Sequence, residues 1–226
     1  FLHGSIKKKI NISIKGKAIT KYDKLKLRSI ESWKSFFENN YSSIIDLFYS
    51  EVLSFTSCSK CPYITTNHEP TMVIILTLHS NFDSLYDCLH EYISKKLLDK
   101  QNSWTCEKCK EDNCPSQKNI FWKLSPIIIF EIKQYTSSRK LNKHIDFPLH
   151  LDMSNYCVNV DKTKTSYKLS GICNHSGRLG GGHYYANCLN HIDNQWYEYN
   201  DTHVSPTKES DILQKNPYCL FYSRSE

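Results

Sequence analysis

Two C-x2-C knuckles, Cys58 with Cys61 and Cys106 with Cys109, constrain this chain more than any other feature. Each knuckle sets two thiols on one tight turn, and a pair of them is the arrangement that closes a tetrahedral thiolate site around a zinc ion. The 44 residues between the knuckles then form an excursion tied at its base. It contains a strand-like run, Met72 to Leu78, and a helix-like run, Leu85 to Leu98, with leucine and tyrosine at three- and four-residue steps. Four thiolates leave no open coordination position, so one structural zinc is expected and not a catalytic one. Cys114 follows the second knuckle closely enough to compete as a ligand. The other five cysteines show no disulfide framework. Free thiols beside a zinc site fit a reducing, intracellular compartment, cytoplasm or nucleus.

A second constraint lies between Tyr167 and Tyr222. Tyr184 to Leu189 and Gln195 to Tyr199 are aromatic-rich, strand-like runs, and residues 190–194 between them read as a turn. A four-residue loop would pair Leu189 with Asn194 and so set His183 opposite Asn200. Directly opposed side chains have Cβ atoms roughly 4.5–5.5 Å apart. Asn200 is then placed to orient one imidazole nitrogen while the other faces a nucleophile. Gly180, Gly181 and Gly182 lead into the histidine and let the backbone lie close to another chain.

These residues resemble the His box of the ubiquitin-specific proteases, a papain-like family of deubiquitinases. The family pattern runs Y-x-L-x-G/A-V, H-x-G, a glycine-rich loop, G-H-Y-x-A-Y, W-Y-x-F-N/D-D-x-x-V and Y-x-L-F-Y. This chain matches it through Tyr167, Leu169, Gly171, His175, Gly177, Gly182, His183, Tyr184, Ala186, Trp196, Tyr197, Asn200, Asp201, Val204, Tyr218, Leu220, Phe221 and Tyr222. It departs at Asn187, where tyrosine is usual, and mildly at Ile172 and Tyr199. The phrase Ser125 to Tyr135 resembles the family's L-P-x-x-L-x-x-x-L-K-R-F with Gln134 in place of arginine, and Phe147 to Asp152 its F-P-x-x-L-D. The two knuckles resemble the zinc cysteines of its fingers.

The resemblance implies an α+β fold: a papain-like cysteine protease with an antiparallel palm sheet, zinc-tied β-rich fingers over about residues 50–125, and palm and His box over about 118–224. It implies thiol-dependent hydrolysis of the isopeptide bond at the ubiquitin C-terminal glycine. His183 would be the base, Asn200 and Asp201 its partners, and Gly180, Gly181, Gly182 and Tyr184 the border of the substrate tail. Ubiquitin or ubiquitinated proteins are the partners expected. The family's nucleophile stands in an N-terminal Cys box, G-L/I-x-N-x-G-N-T-C, which this chain does not contain. The helical thumb is therefore expected to be largely missing, and the chain to be the C-terminal part of a longer protease. A catalytically inactive ubiquitin-binding or scaffold module would show the same His183 and Asn200 without a nucleophile.

Charge is uneven. The net +6 is concentrated in residues 1–30, which hold nine Lys or Arg against Asp23 alone, while the rest carries 20 basic and 22 acidic groups. We divide the chain at residue 32 into a basic N-terminal segment and a catalytic-domain part, 33–226. The basic run reads as a solvated face; a zinc-ribbon nucleic-acid binder would use it but leaves the His-box matches unexplained. Ile6, Ile10, Ile12 and Ile14 alternate as in a strand, and Trp33 to Tyr49 is spaced for one or two helices with Trp33, Phe36, Phe37, Tyr41, Ile44, Ile45 and Phe48 on a buried face. No apolar run approaches the roughly 20 residues of a membrane span.

Overall fold

The computed structural model describes residues 2–134, 141, 143–158, 164–178 and 181–225. They form two compact units.

The first unit comprises residues 1–72, 93–125 and 157–159. It begins with α1 (Leu2–Ile6), α2 (Lys21–Phe37) and α3 (Ser43–Phe48). Strands β1 (Ser50–Ser57) and β2 (Ile64–Thr71) form a hairpin, joined by β7 (Ser116–Lys123) and the short β4 (Lys96–Leu97) in the order β2-β1-β7-β4; β5 (Trp104–Thr105) and β6 (Asp112–Asn113) make a separate ribbon. The core is small: Phe37, Ile45, Val52, Leu53 and Phe121. Under α2 two buried polar side chains meet, with His68 Nδ1 2.8 Å from Glu51 Oε1 and Ser29 Oγ donating to Glu51 Oε2 at 2.9 Å. The edge of the His68 ring meets Trp122.

Three sequence expectations change here. The isoleucines at 6, 10, 12 and 14 build no strand: Ile6 ends α1, Lys8 and Tyr41 form an isolated bridge, and Ile10 N donates to Glu38 O at 2.8 Å. The helix expected from Trp33 begins twelve residues earlier, at Lys21, and runs through the division drawn at residue 32. Its start is a capping box: Thr20 Oγ1 accepts from Asp23 N at 3.0 Å, and Asp23 Oδ2 accepts from Thr20 N at 2.8 Å. Phe36, placed on the buried face by spacing, is exposed, while its neighbour Phe37 is the buried residue; α2 ends at Phe37 and a separate helix begins at Ser43.

The second unit comprises residues 73–92, 126–156 and 160–226. Its sheet runs β13-β12-β11-β10-β14-β8-β3, with β9 also on β10. The strands are β3 (Val73–Thr77), β8 (Ile127–Lys133), β9 (His150–Asp152), β10 (Ser166–Arg178), β11 (Gly181–Leu189), β12 (Trp196–Asn200), β13 (His203–Thr207) and β14 (Pro217–Arg224); α4 (Leu85–Ile93) and α5 (Glu209–Ile212) complete the unit. All neighbours are antiparallel except β3 with β8. The fold is thus α+β with a mostly antiparallel sheet. It is not built solely from strands after residue 118, since β3 comes from before the second knuckle, and β7 belongs to the other sheet.

Strand β8 reads as a near-continuous apolar run because it is flanked on both sides. Its Ile128, Phe130 and Ile132 are buried with Leu76, Leu85, Leu89, Tyr167, Leu169, Leu220 and Tyr222. Each buried phenol finds a partner: Tyr222 OH donates to Pro148 O at 2.7 Å, and Tyr167 OH accepts from Arg224 at 3.2 Å.

Candidate functional site

The β11–β12 hairpin sets the histidine. Leu189 pairs with Trp196 and Ala186 with Tyr199, so the turn is residues 190–195, not 190–193. It is held by Asn190 N donating to Gln195 O, by Asn190 and Asp193 side chains accepting from Ile192 N and Gln195 N, and by Asn194 in the left-handed region at φ 54°. The register is therefore two residues from the expected one. A shift of two keeps every side chain on its face, whereas a shift of one would have reversed them. Asn200 becomes a diagonal neighbour of His183, and the contact survives: His183 Nε2 lies 2.6 Å from Asn200 Oδ1.

The bond assigns the tautomer. A carbonyl oxygen only accepts, so Nε2 carries the proton and Nδ1 keeps its lone pair, free to take a proton from a donor. Asp201 Oδ2 stands at 3.9 Å from Nε2, beyond hydrogen-bond reach, and lies at φ 52° in the tight turn that pairs Asn200 with His203. The His183 side chain is about half exposed.

On the opposite face of β11, Tyr184 is exposed and forms an aromatic row with His175 at 4.5 Å and Tyr218 at 5.8 Å between centroids. Tyr218 donates to Glu131 Oε1 at 3.1 Å; burial first, and this bond second, push its hydroxyl up to about 12. The glycines divide by task. Gly180 lies outside the described residues. Gly181 faces open space, while a Cβ on Gly182 would overlap the His175 ring and Ser176 O. Gly182 is thus required by His175 inside the chain. Gly177, opposite Gly182, has φ 134° and turns the strand there.

The four knuckle cysteines come together in the first unit. Cys58 Sγ is 3.9 Å from Cys109 Sγ and Cys61 Sγ 3.7 Å from Cys106 Sγ, with all four sulfurs within 4.8 Å of one another. Sulfurs at the vertices of a tetrahedron about 2.3 Å from zinc stand about 3.8 Å apart, so the donor set fits that ion. The first knuckle is the β1–β2 turn and the second the β5–β6 turn, where Lys110 at φ 59° folds the chain back. Burial disfavours the Cys106 thiolate, but the backbone N–H groups of Cys109 and Lys108 outweigh it and bring the thiol down to about 7. Asn113 joins the knuckles: its Oδ1 accepts from Ser59 N at 3.2 Å and its Nδ2 donates to Glu111 O at 3.1 Å. Nothing in the spacing pointed to that residue. Cys114 is not among the clustered sulfurs.

The remaining thiols of the second unit are poor nucleophiles. Burial pushes Cys88 to about 11 and Cys219 to about 12, and raises Cys173 and Cys188. Among the described residues no disulfide joins any of the ten cysteines.

A cluster of four cysteines in one unit and a hairpin histidine held by an asparagine in the other define the class. The profile described as "Ubiquitin carboxyl-terminal hydrolase" matches residues 4–222, and the chain belongs to that family. Ubiquitin carboxyl-terminal hydrolase 9 of Arabidopsis thaliana is 40% identical over 146 residues, 62% of this chain and 16% of that protein. A probable ubiquitin carboxyl-terminal hydrolase of Acanthamoeba polyphaga mimivirus is 30% identical over 217 residues, 90% of this chain and 46% of its own length. Among solved structures, the SAGA DUB module of Ubp8, Sgf11, Sus1 and Sgf73 bound to monoubiquitin matches with TM-score 0.73 and 26% identity, covering 91% of this chain and 48% of the matched one. The chain spans less than half the length of these relatives. Among the described residues no helix is long and apolar enough to cross a membrane.

Proposed function

We propose that this chain supplies the base, its orienting amide and the ubiquitin-holding fingers of a cysteine-type deubiquitinase. The observation that carries the reading is the 2.6 Å bond from His183 Nε2 to Asn200 Oδ1, which leaves Nδ1 as the base. The nucleophilic thiol is assigned to a segment of the protein outside residues 1–226. The raised pKa of the buried Cys88 and Cys219 thiols, and the gathering of four other cysteines in one cluster, support that assignment. Among its relatives' structures, one holds monoubiquitin.

His183 Nδ1 accepts the thiol proton, and the thiolate attacks the carbonyl carbon of the last glycine of ubiquitin. The C–N bond to the lysine amine breaks as the imidazolium returns the proton to the departing nitrogen, and water then hydrolyses the thioester with His183 again as base. An amide suffices as the orienting group because the thiolate balances the imidazolium. Asp201 contributes field and not a hydrogen bond. Tyr184, Gly181 and Gly182 border the extended tail of ubiquitin; Gly180 is assigned there too. One zinc ion held by Cys58, Cys61, Cys106 and Cys109 is structural, since four protein ligands leave it no open position. The zinc-tied unit holds the folded body of ubiquitin, and cysteines without disulfides beside a zinc site support a reducing compartment.

The test is hydrolysis of ubiquitin carrying a C-terminal aminocoumarin amide by the complete protein. His183→Ala is expected to lower kcat by about a thousandfold or more with zinc content unchanged. Wild-type protein that binds ubiquitin but never turns it over would instead identify an inactive ubiquitin-binding module.

A further inference from the structure

Asn113, on β6, is buried, and its whole carboxamide is engaged between the two knuckles. Its Oδ1 accepts from Ser59 N at 3.2 Å and from Ser59 Oγ at 3.3 Å, while its Nδ2 donates to Trp104 O at 3.3 Å and to Glu111 O at 3.1 Å. The partners fix which way the amide points. A peptide N–H only donates and a carbonyl only accepts, so turning the group over would set donor against donor at Ser59 and acceptor against acceptor at Trp104 and Glu111. Two lone pairs and two N–H hydrogens are thus matched to four partners.

Those partners are the parts of the chain that set the sulfurs. Ser59 stands inside the first knuckle, between Cys58 and Cys61. With its N–H taken by Asn113, the next one along, Lys60 N, points to Cys58 Sγ at 3.3 Å. Glu111 O closes the second knuckle, where it also accepts from Cys106 N at 3.1 Å, and Trp104 lies directly across the β5–β6 ribbon from Asn113. One side chain therefore ties the interior of the first knuckle to both strands that carry the second. Another link, Lys60 Nζ to Glu111 Oε2 at 2.6 Å, joins two exposed side chains. An exposed pair exchanges readily for water, whereas loss of a buried partner leaves the remaining groups unmatched. Asn113 is the link that fixes one knuckle against the other.

We propose that Asn113 is a positioning residue for the metal: it holds the knuckles at the spacing where four sulfurs meet as a tetrahedron, and so sets how long the ion is retained. The inference rests on the reading of Cys58, Cys61, Cys106 and Cys109 as a zinc site. Asn113 acts on the ion through the two turns and not as a ligand. Outer-shell partners of metal sites commonly account for roughly 10- to 100-fold in affinity.

The test follows zinc leaving the loaded, complete protein into an excess of a chromophoric chelator. Asn113→Ala should raise the release rate by about 10- to 100-fold. Ser59→Ala, at an exposed position and removing only the hydroxyl contact, should raise it by about two- to fivefold, and it decides alone if Asn113→Ala does not fold. Ile45→Val deletes one buried methyl group of the same unit, in α3 and outside both knuckles, and sets the rise that lost stability by itself produces. Cobalt in place of zinc reads the geometry: Asn113→Ala should shift the d–d absorption of the tetrahedral ion, and Ile45→Val should leave it in place. Release within twofold of wild type in both knuckle variants overturns the proposal, as does a rise no larger per degree of Tm lost than in Ile45→Val with the cobalt spectrum unchanged. Wild-type protein that takes up no zinc refutes the zinc reading itself, and the proposal with it.

Discussion

Gly182→Ala isolates one steric fact. A Cβ at residue 182 would overlap His175 Nε2 and Ser176 O, whereas one at Gly181 meets nothing within 4 Å. Neither glycine has a positive φ that alanine would resist. In a strand, alanine for glycine gains about 0.5–1 kcal/mol through chain entropy, so Gly181→Ala should be neutral or slightly stabilising. At Gly182 the same gain is opposed by overpacking of about 1–3 kcal/mol, because His175 is itself held against Tyr184 and cannot yield freely. The two variants should therefore differ by about 1–3 kcal/mol. For a chain of this size that is a Tm difference of roughly 2–12 °C. Thermal melting of both proteins with zinc supplied measures it directly. Equal melting temperatures would show that the glycine next to the histidine is not kept by His175, and that its role belongs to the substrate alone.

Cys106→Ser should abolish stoichiometric zinc by elemental analysis and unfold the first unit, since a structural zinc site contributes on the order of 10 kcal/mol to folding; zinc retained at one per chain would mean another ligand, Cys114 first, completes the set. Asn200→Ala should lower kcat by about 10- to 1,000-fold with KM little changed, because the tautomer of His183 is no longer fixed; an effect confined to KM would place Asn200 in binding instead. Asp87 is held below the usual carboxylate range first by the backbone N–H of Asp83 and then by Ser84 at the start of α4. Its folded form favours the ionised state, so its contribution is present above the unfolded pKa of about 3.9 and is lost as pH falls through the folded value. Asp87→Asn should flatten that acid limb in pH-dependent denaturation, and an unchanged limb would refute the assignment.

What could be read from residues alone follows the range of the forces involved. The knuckles are short and stereochemically demanding, and all four sulfurs met as their spacing implied. The face of His183 was legible because strand alternation has a period of two, so an error of two in the turn left it unchanged. The error arose because Asn194, set opposite Leu189 by the four-residue loop, lies inside the turn in the left-handed region, and Leu189 pairs with Trp196 instead. The start of α2 was written in Thr20 and Asp23, a capping signal masked by the basic run around it. The placement of β3 beside β8 was not legible, since parallel neighbours are fixed by long-range packing and leave no local mark. Nor was the role of Asn113, because it acquires meaning only through the Ser59, Trp104 and Glu111 that the fold brings to it.

The central claim is that His183 and Asn200 activate a thiol lying outside these 226 residues, and mapping the site of covalent capture tests it most directly. The complete protein is treated with ubiquitin bearing a thiol-trapping group at its C-terminus, and the adduct is located by peptide mass spectrometry. The account predicts one adduct per chain, on a cysteine outside residues 1–226, formed at a rate that collapses in His183→Ala. A His183-dependent adduct on any of the ten cysteines of this chain would contradict it.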